Sequence, residues 1–302
     1  MIVLVLGSAA GGGVPQWNCG CGNCVRTRLG EIPARTQSSI AVSPDGETWL
    51  LVNASVDVGR QLLATPEMWV TDGRRLPFAA ILLTDANVDH TAGLSELRAQ
   101  RDGIIVVSTG VVRSLLVSQR AYSTLANPPH RWSFFDAADE DDLAPFISQH
   151  IASAFDIRAV EVPGLLPGYA GRAATAGAVV AYVFSERRSG KRLLVAPVFA
   201  DFQDRLTEIA QQCDAVFVDG TFFLNNELQT QAGIGKSARR LGHAPINGEG
   251  GTLARISSMK NRRIFVHINN TNPILDPRTP QAAAVAAAGC EVAYDGMRIS
   301  ID

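Results

Sequence analysis

The feature that most constrains this chain is a recurring unit, a short Val/Ile/Leu-rich run that stops abruptly at a polar residue. Such runs occupy 2–6, 39–42, 48–52, 79–83, 104–107, 178–184, 192–195, 215–218, 264–268, 291–294 and 297–301. Each is short and mostly bounded by Gly, Pro, Asp or Asn, which predicts buried strands. Helical patterns at 59–64, 92–100, 111–120, 202–212, 252–261 and 279–288 lie between them, the last Ala-rich and closed by Gly289. The pairs 39–42 with 48–52, and 291–294 with 297–301 across Asp295-Gly296, predict hairpins. Other neighbours have strand–helix spacing. A mixed sheet assembly covered by helices follows, an α/β (α+β) fold. The stretch 126–167, with Pro128-Pro129, several Asp and Pro163-Gly164, predicts a loop or lid. With no low-complexity linker and no repeat, residues 1–302 predict one elaborated domain.

Charge narrows the functions. Lys plus Arg is 27 and Asp plus Glu is 29, a net charge of −2, which removes the cationic field that nucleic-acid binding relies on. No apolar run reaches the ~18 residues of a membrane span. Residues 1–10 carry no base and only a short apolar stretch, so they predict a buried first strand rather than a signal peptide. The expected compartment is a reducing cytoplasm.

There, clustered thiols are metal ligands or redox groups more often than disulfides. Cys19, Cys21 and Cys24 crowd into Asn18-Cys-Gly-Cys-Gly-Asn-Cys24, while Cys213 and Cys290 stand alone. Three sulfurs separated by glycines can wrap one zinc ion as a knuckle at about 18–25. Three buried free thiols are the plainer alternative. A redox pair is disfavoured, because the segment lacks the look of a Cys-x-x-Cys that opens a helix after a strand. The fourth ligand is not visible locally.

Several strand runs end in groups that bind metals. After 79–83 comes Thr84-Asp85-Ala86-Asn87-Val88-Asp89-His90; 215–218 runs into Asp219, and 263–266 into His267. Strands of α/β sheets deliver binding residues at their carboxyl ends. Taken alone, the Asp85–His90 segment reads equally well as a helix-capping loop. With Asp219 and His267 it makes a two-His, two-carboxylate set, Asp89, His90, Asp219 and His267, suited to iron, with manganese or magnesium as alternatives. Asp57 ends a further strand pair. His243 is a candidate proton donor or substrate contact. Gly7 to Gly13 lacks dinucleotide-loop spacing and runs into the cysteines rather than a helix.

In their order, Asp57, Thr84-Asp85-Ala86-Asn87-Val88-Asp89-His90, Asp219 and His267 resemble the motifs of the metallo-β-lactamase superfamily. That superfamily's second motif is His-x-His-x-Asp-His; here Asp85 and Asn87 stand where its histidines would be, and no further histidine lies near 163–168. The strings at 7–21, 89–94 and 267–275 look closer still to the pyrroloquinoline quinone (PQQ) biosynthesis protein B family. The resemblance implies a four-layer αββα sandwich and a place in making PQQ from a Glu–Tyr-derived peptide. Two roles follow: iron-dependent hydroxylation or oxygenation of the aromatic precursor, or carriage of the cofactor or its precursor toward the periplasm. A metallohydrolase of the same fold is the third reading.

The altered ligands favour hydroxylation. Asp89, His90, Asp219 and His267 would bind Fe(II), Asp85 and Asn87 would stand behind them or serve as optional ligands, and His243 would move protons. The phosphodiesterase of carbon–phosphorus bond cleavage is similar in its Cys-x-Cys-x2-Cys zinc site, whose fourth ligand is a histidine at the position of Asn270, so Asn270 is the candidate fourth ligand here. Expected partners are the small, peptide-derived precursor, other pathway proteins and a second copy in a homodimer, with no nucleic acid and no membrane.

Overall fold

The computed structural model describes every residue except Ala99, Arg101 and Glu140. Two mixed sheets face each other. The first contains β1 (Ile2–Gly7), β2 (Ser39–Ser43), β3 (Leu50–Val52), β4 (Ala80–Leu82), β5 (Ile105–Thr109) and β6 (Arg131–Phe135). The second contains β7 (Phe155–Glu161), β8 (Val180–Glu186), β9 (Arg192–Ala196), β10 (Ala215–Asp219), β11 (Arg262–Val266) and β12 (Glu291–Val292); β13 (Arg298–Ser300) returns to the first. Strand orders are 13-1-2-3-4-5-6 and 12-11-10-9-8-7. Strands β3 to β6 run parallel, as do β9 to β12.

Alternation along each strand builds the layers. In β1, Val3 and Val5 join the core between the sheets while Leu4 and Leu6 face outward. In β10, Ala215 and Phe217 face inward while Val216 and Val218 face outward. Period-two placement of apolar residues on both faces requires a cover on both. Outside the first sheet, Val58, Leu94, Val112 and Leu116 supply it from α2 (Val58–Leu63), α4 (Leu94–Leu97) and α5 (Gly110–Val117), numbered after α1 (Gly22–Arg28) and α3 (Val88–Thr91). Outside the second, Leu206, Ala210, Ile256 and Val285 supply it from α7 (Asp204–Gln211), α9 (Thr252–Ile256) and α10 (Pro280–Ala287). The remaining helices are α6 (Gln149–Ala154) and α8 (Glu227–Ala232). This is the expected αββα sandwich, and among the described residues no helix is long and apolar enough to cross a membrane.

The structure corrects several expectations. The stretch 126–167 is not a loop throughout: it contains β6, α6 and β7, with irregular chain before β6, between β6 and α6, and after β7. Both strands are sheet edges, and β7 alternates buried Phe155, Ile157 and Ala159 with Asp156 and Arg158. Charges of that kind blunt a strand edge and break the continuous apolar run that marks a central strand. The segment 92–100 forms only the short turn α4, and its Ala99 lies outside the described residues. The segments 291–294 and 297–301 are no hairpin, since β12 pairs with β11 in one sheet and β13 with β1 in the other. Asp295 turns the chain between the sheets because its carboxylate is fixed there. It accepts from Ser8 N (2.9 Å) and Oγ (2.7 Å) and from Thr36 N (2.6 Å) and Oγ1 (2.7 Å).

Asp295→Ala strips those bonds and removes the carboxylate that faces the largely buried Arg35 guanidinium. Urea unfolding should show a loss of about 3 kcal/mol, against under ~1 kcal/mol for Glu47→Ala on the surface.

Candidate metal centre

The carboxyl ends of β4, β10 and β11 converge on one edge of the sandwich. Tyr182 bridges the sheets there, its hydroxyl donating to Leu83 O (2.8 Å). Just beyond, Thr84 is held by Asn53, whose side chain accepts from Thr84 N and donates to Thr84 Oγ1, each at 2.9 Å. Asn53 has φ of +63°, a left-handed conformation Asn tolerates better than most residues.

Asp85 is wholly buried and does not face the cleft as a free ligand. Its Oδ1 accepts from Asn87 N and Nδ2 (both 2.8 Å), and its Oδ2 from Thr84 Oγ1 (2.9 Å) and His90 Nδ1 (2.7 Å). Burial would raise its pKa, but His90 and the backbone donor hold it below the usual carboxylate range. Burial likewise opposes a charge on His90, yet Asp85 and Asp89 prevail and lift it to about 9. With Nδ1 taken, His90 presents Nε2, which is buried and has no partner among the described residues. Gly93 lets this turn approach closely: a Cβ there would lie 2.3 Å from Ser55 O.

His90 Nε2 has company. Asp89, His90 and His267 each bring one ligand atom into a group spanning no more than 4.8 Å. His267 Nε2 is 3.1 Å from Asp89 Oδ2, and the two imidazoles meet edge to face at 5.0 Å. His267 follows β11 with φ of +59°, the kind of backbone outlier that clusters at functional sites. A buried imidazole nitrogen without a partner, beside a second imidazole and a carboxylate, fits a bound metal ion. The Asp85–His90 bond is the carboxylate–histidine support such ligands carry.

Asp219 does not join this group as the sequence predicted. Its Oδ1 accepts from Thr221 N (2.9 Å), and its Oδ2 from Phe199 N (3.2 Å) and His243 Nδ1 (2.7 Å). It forms instead a second group with His243 and His267, also within 4.8 Å. Thr221 links the two imidazoles, its Oγ1 lying 3.1 Å from His243 Nδ1 and 2.8 Å from His267 Nδ1. Asn87 bonds Asp85 through both its backbone N–H and its side-chain amide. Asp57 bonds Gln37 N and Nε2 (3.0 and 3.1 Å).

Cys19, Cys21 and Cys24 gather as a separate trio within 4.8 Å. Contrary to expectation, Cys21 and Cys24 do open a helix, Cys21 standing at the N-cap of α1. Burial pushes the Cys21 thiol up to about 12. Asn270 closes the group, its Nδ2 lying 3.2 Å from Cys24 Sγ and 3.6 Å from Cys21 Sγ. His130 and His150 lie elsewhere, on Ile104 N and on Thr48 and Asp45.

With this geometry, residues 48–268 match the Beta-lactamase superfamily domain. Coenzyme PQQ synthesis protein B of Methylobacterium sp. (strain 4-46) is 39% identical over 315 aligned positions covering all of both chains, and that of Azoarcus sp. (strain BH72) is 38% identical with the same coverage. The crystal structure of Zn(2+)-bound PqqB from Methylobacterium extorquens superposes with a TM-score of 0.91 at 35% identity over both whole chains. The chain belongs to the coenzyme PQQ synthesis protein B family. It has a role in PQQ biosynthesis on the metallo-β-lactamase fold. A diphosphatase from the PhnP family, at TM-score 0.68 and 18% identity over 99% of this chain and 96% of that one, shares the fold.

Two residues of this family member escaped the sequence reading. One is Thr221, in an Asp-Gly-Thr string that reads as a plain turn. The other is Glu227 in α8, buried, accepting from Thr271 Oγ1 (2.6 Å) and Phe223 N (2.5 Å) and so tying α8 to the segment after His267. Nothing in the sequence around Glu227 marks it as buried.

Two outcomes follow. Asp85→Asn leaves His90 without its anionic partner, and a chelator-competition titration should show metal affinity at the His90 site falling about 10–100-fold. Burial raises Glu227 to about 7, against 4.5 for an ordinary glutamate. The folded chain therefore holds a proton that the unfolded chain has lost, and stability falls as pH rises from about 4.5 to 7. Glu227→Gln should remove roughly 3 kcal/mol of that fall in urea melts taken across the range.

Proposed function

We propose that this family member is an Fe(II)-dependent hydroxylase of a Glu–Tyr-derived aromatic precursor in PQQ biosynthesis. The supporting observation is the donor set of the first group: two imidazoles, His90 and His267, and one carboxylate, Asp89. That combination with open positions suits non-haem Fe(II) and dioxygen, whereas a two-zinc hydrolase needs the histidines that Asp85 and Asn87 replace. The bound iron would supply dioxygen activation beside the phenol or catechol of the substrate.

The chain's own residues do the rest. Asp85 keeps the proton of His90 on Nδ1 and leaves Nε2 as the donor to the metal. Thr221 fixes the rings of His267 and His243 against each other, stacked at 5.4 Å. His243, paired with Asp219 and partly exposed, can hand a proton to or take one from the substrate at the edge of the cleft. One oxygen atom enters the ring and the other leaves as water. The balance takes two protons and two electrons, the electrons coming from a small-molecule reductant. We assign zinc to Cys19, Cys21 and Cys24, with Asn270 facing the remaining side, as a brace for the fold.

A second reading is a hydrolase with two ions, and it draws on Asp219, His243 and His267 as a second donor group sharing His267. One experiment separates the two. Protein loaded anaerobically with Fe(II) is given the authentic precursor, a reductant and oxygen, and the product is weighed by mass spectrometry. A gain of one oxygen atom is expected, abolished in His90→Ala and reduced about 100-fold or more in His243→Ala. No gain, with two cleft ions per chain and zinc-dependent cleavage of a phosphodiester or thioester, would establish the hydrolase instead.

A further inference from the structure

A cavity of about 500 Å³, lined by Arg35, Thr36, Asp57, Arg60, Gln61 and Asp295 among others, opens behind the turn at 11–13. Its size suits a small ligand, and the turn beside it also approaches the candidate metal centre. At the near end of the turn, a Cβ on Gly11 would lie 3.1 Å from Asp89 Oδ2. The segment before Asp57 carries Ala54, whose N–H donates to His90 O at 2.8 Å. Ala9 bridges Gln37 on one side and Ile268 on the other, so the Gln37 wall lies two strand spacings, about 10 Å, from the residue after His267.

The charges in this cavity are unevenly satisfied. Asp295 is saturated by Ser8 and Thr36 and faces Arg35, which donates to Ala293 O. Asp57 is half satisfied: Gln37 takes Oδ2, and Oδ1 has no hydrogen-bond donor among the described residues. Arg60, one turn further along α2, has neither an ion pair nor a side-chain hydrogen bond among the described residues, and it does not close on Asp57. Gln61 adds an unmet acceptor. Its amide group donates to Gln37 O (2.7 Å) and Thr36 Oγ1 (2.9 Å), which fixes its orientation, and its Oε1 is buried with no donor among the described residues.

We propose that this cavity binds a free α-amino acid, its carboxylate on the Arg60 fork and its ammonium on Asp57 Oδ1. A guanidinium and a carboxylate one helical turn apart, each with spare capacity, match the two charges of that head group. A plain anion would meet Asp57, and a plain cation Arg60. The site is separate from the metal centre and does not depend on which reaction runs there.

The test is calorimetric titration of the full-length, metal-loaded protein with L-glutamate and L-leucine as acidic and apolar probes. Glutarate, which lacks the ammonium, and 4-aminobutyrate, which lacks the α-carboxylate, are the controls. Saturable binding of an α-amino acid is expected, at least about tenfold weaker for the controls and weakened about tenfold or more by Arg60→Gln. Arg60 is exposed, so an unchanged melting temperature will show that the variant is folded. Binding should survive His90→Ala, which disables the metal centre alone. Absence of binding by both amino acids, controls that bind as tightly, or binding lost in His90→Ala but retained in Arg60→Gln would overturn the proposal.

Discussion

A carboxylate buried as completely as Asp85 is stable only because every lone pair facing the protein is met. Thr84, the Asn87 backbone, the Asn87 side chain and His90 meet them. An ion taken out of water is costly unless it is paired and hydrogen-bonded, so this cluster fixes the chain from 84 to 90 in one conformation. That conformation sets where Asp89 points and which nitrogen His90 offers. Asn53, reaching across from the end of β3, locks Thr84 into the same network. The ends of two neighbouring parallel strands therefore act as one rigid lip of the cleft.

The opposite lip is the chain beyond β11. His267 takes its left-handed backbone there, and within five residues the same segment supplies Asn270 to the thiol trio, Thr271 to Glu227, and Asn272, whose Nδ2 donates to Gly220 O at 2.8 Å. Asn23 in α1 adds bonds to Asn270 O and Asn272 O (3.0 and 2.9 Å). The cysteine knuckle is thus stitched to the segment that aims His267, and a metal held by the thiols would stiffen that segment without touching the cleft. This ties the sulfur site to the rim of a fold whose two sheets pack face to face.

Much of this was legible in the sequence because it rests on local rules. Short, continuous apolar runs bounded by turn residues pointed to the central strands, and the polar residues at their carboxyl ends pointed to Asp85, Asp89, His90, Asp219 and His267. What could not be read follows from contacts between distant segments. Asp219 groups with His243, 24 residues on, whose Nδ1 bonds its Oδ2. Thr221 matters only because two imidazoles from different segments meet on its hydroxyl. Asp295 looked like a hairpin turn because its two flanking strands are adjacent in sequence, whereas its bonds to Ser8 and Thr36 send them to different sheets. The edge strands β6 and β7 were missed because solvent on one side replaces the apolar residues that make a central strand conspicuous.

The same comparison bears on the chemistry. In the metallo-β-lactamase fold the motif before the first helical turn can supply two more imidazoles, and here those positions hold Asp85 and Asn87. Asp85 uses all its capacity to orient His90, and Asn87 is engaged in holding Asp85. Asp85 has no lone pair left for a second ion without dismantling the support of the first, and Asn87 offers only its amide oxygen. The second donor group is bonded internally, Asp219 to His243, as the first is, Asp89 to His267. The arrangement concentrates its free donors, His90 Nε2 above all, on one position. A single ion held by His90, His267 and Asp89 would keep vacant sites, and a pair of ions would have to share His267 between the two donor groups.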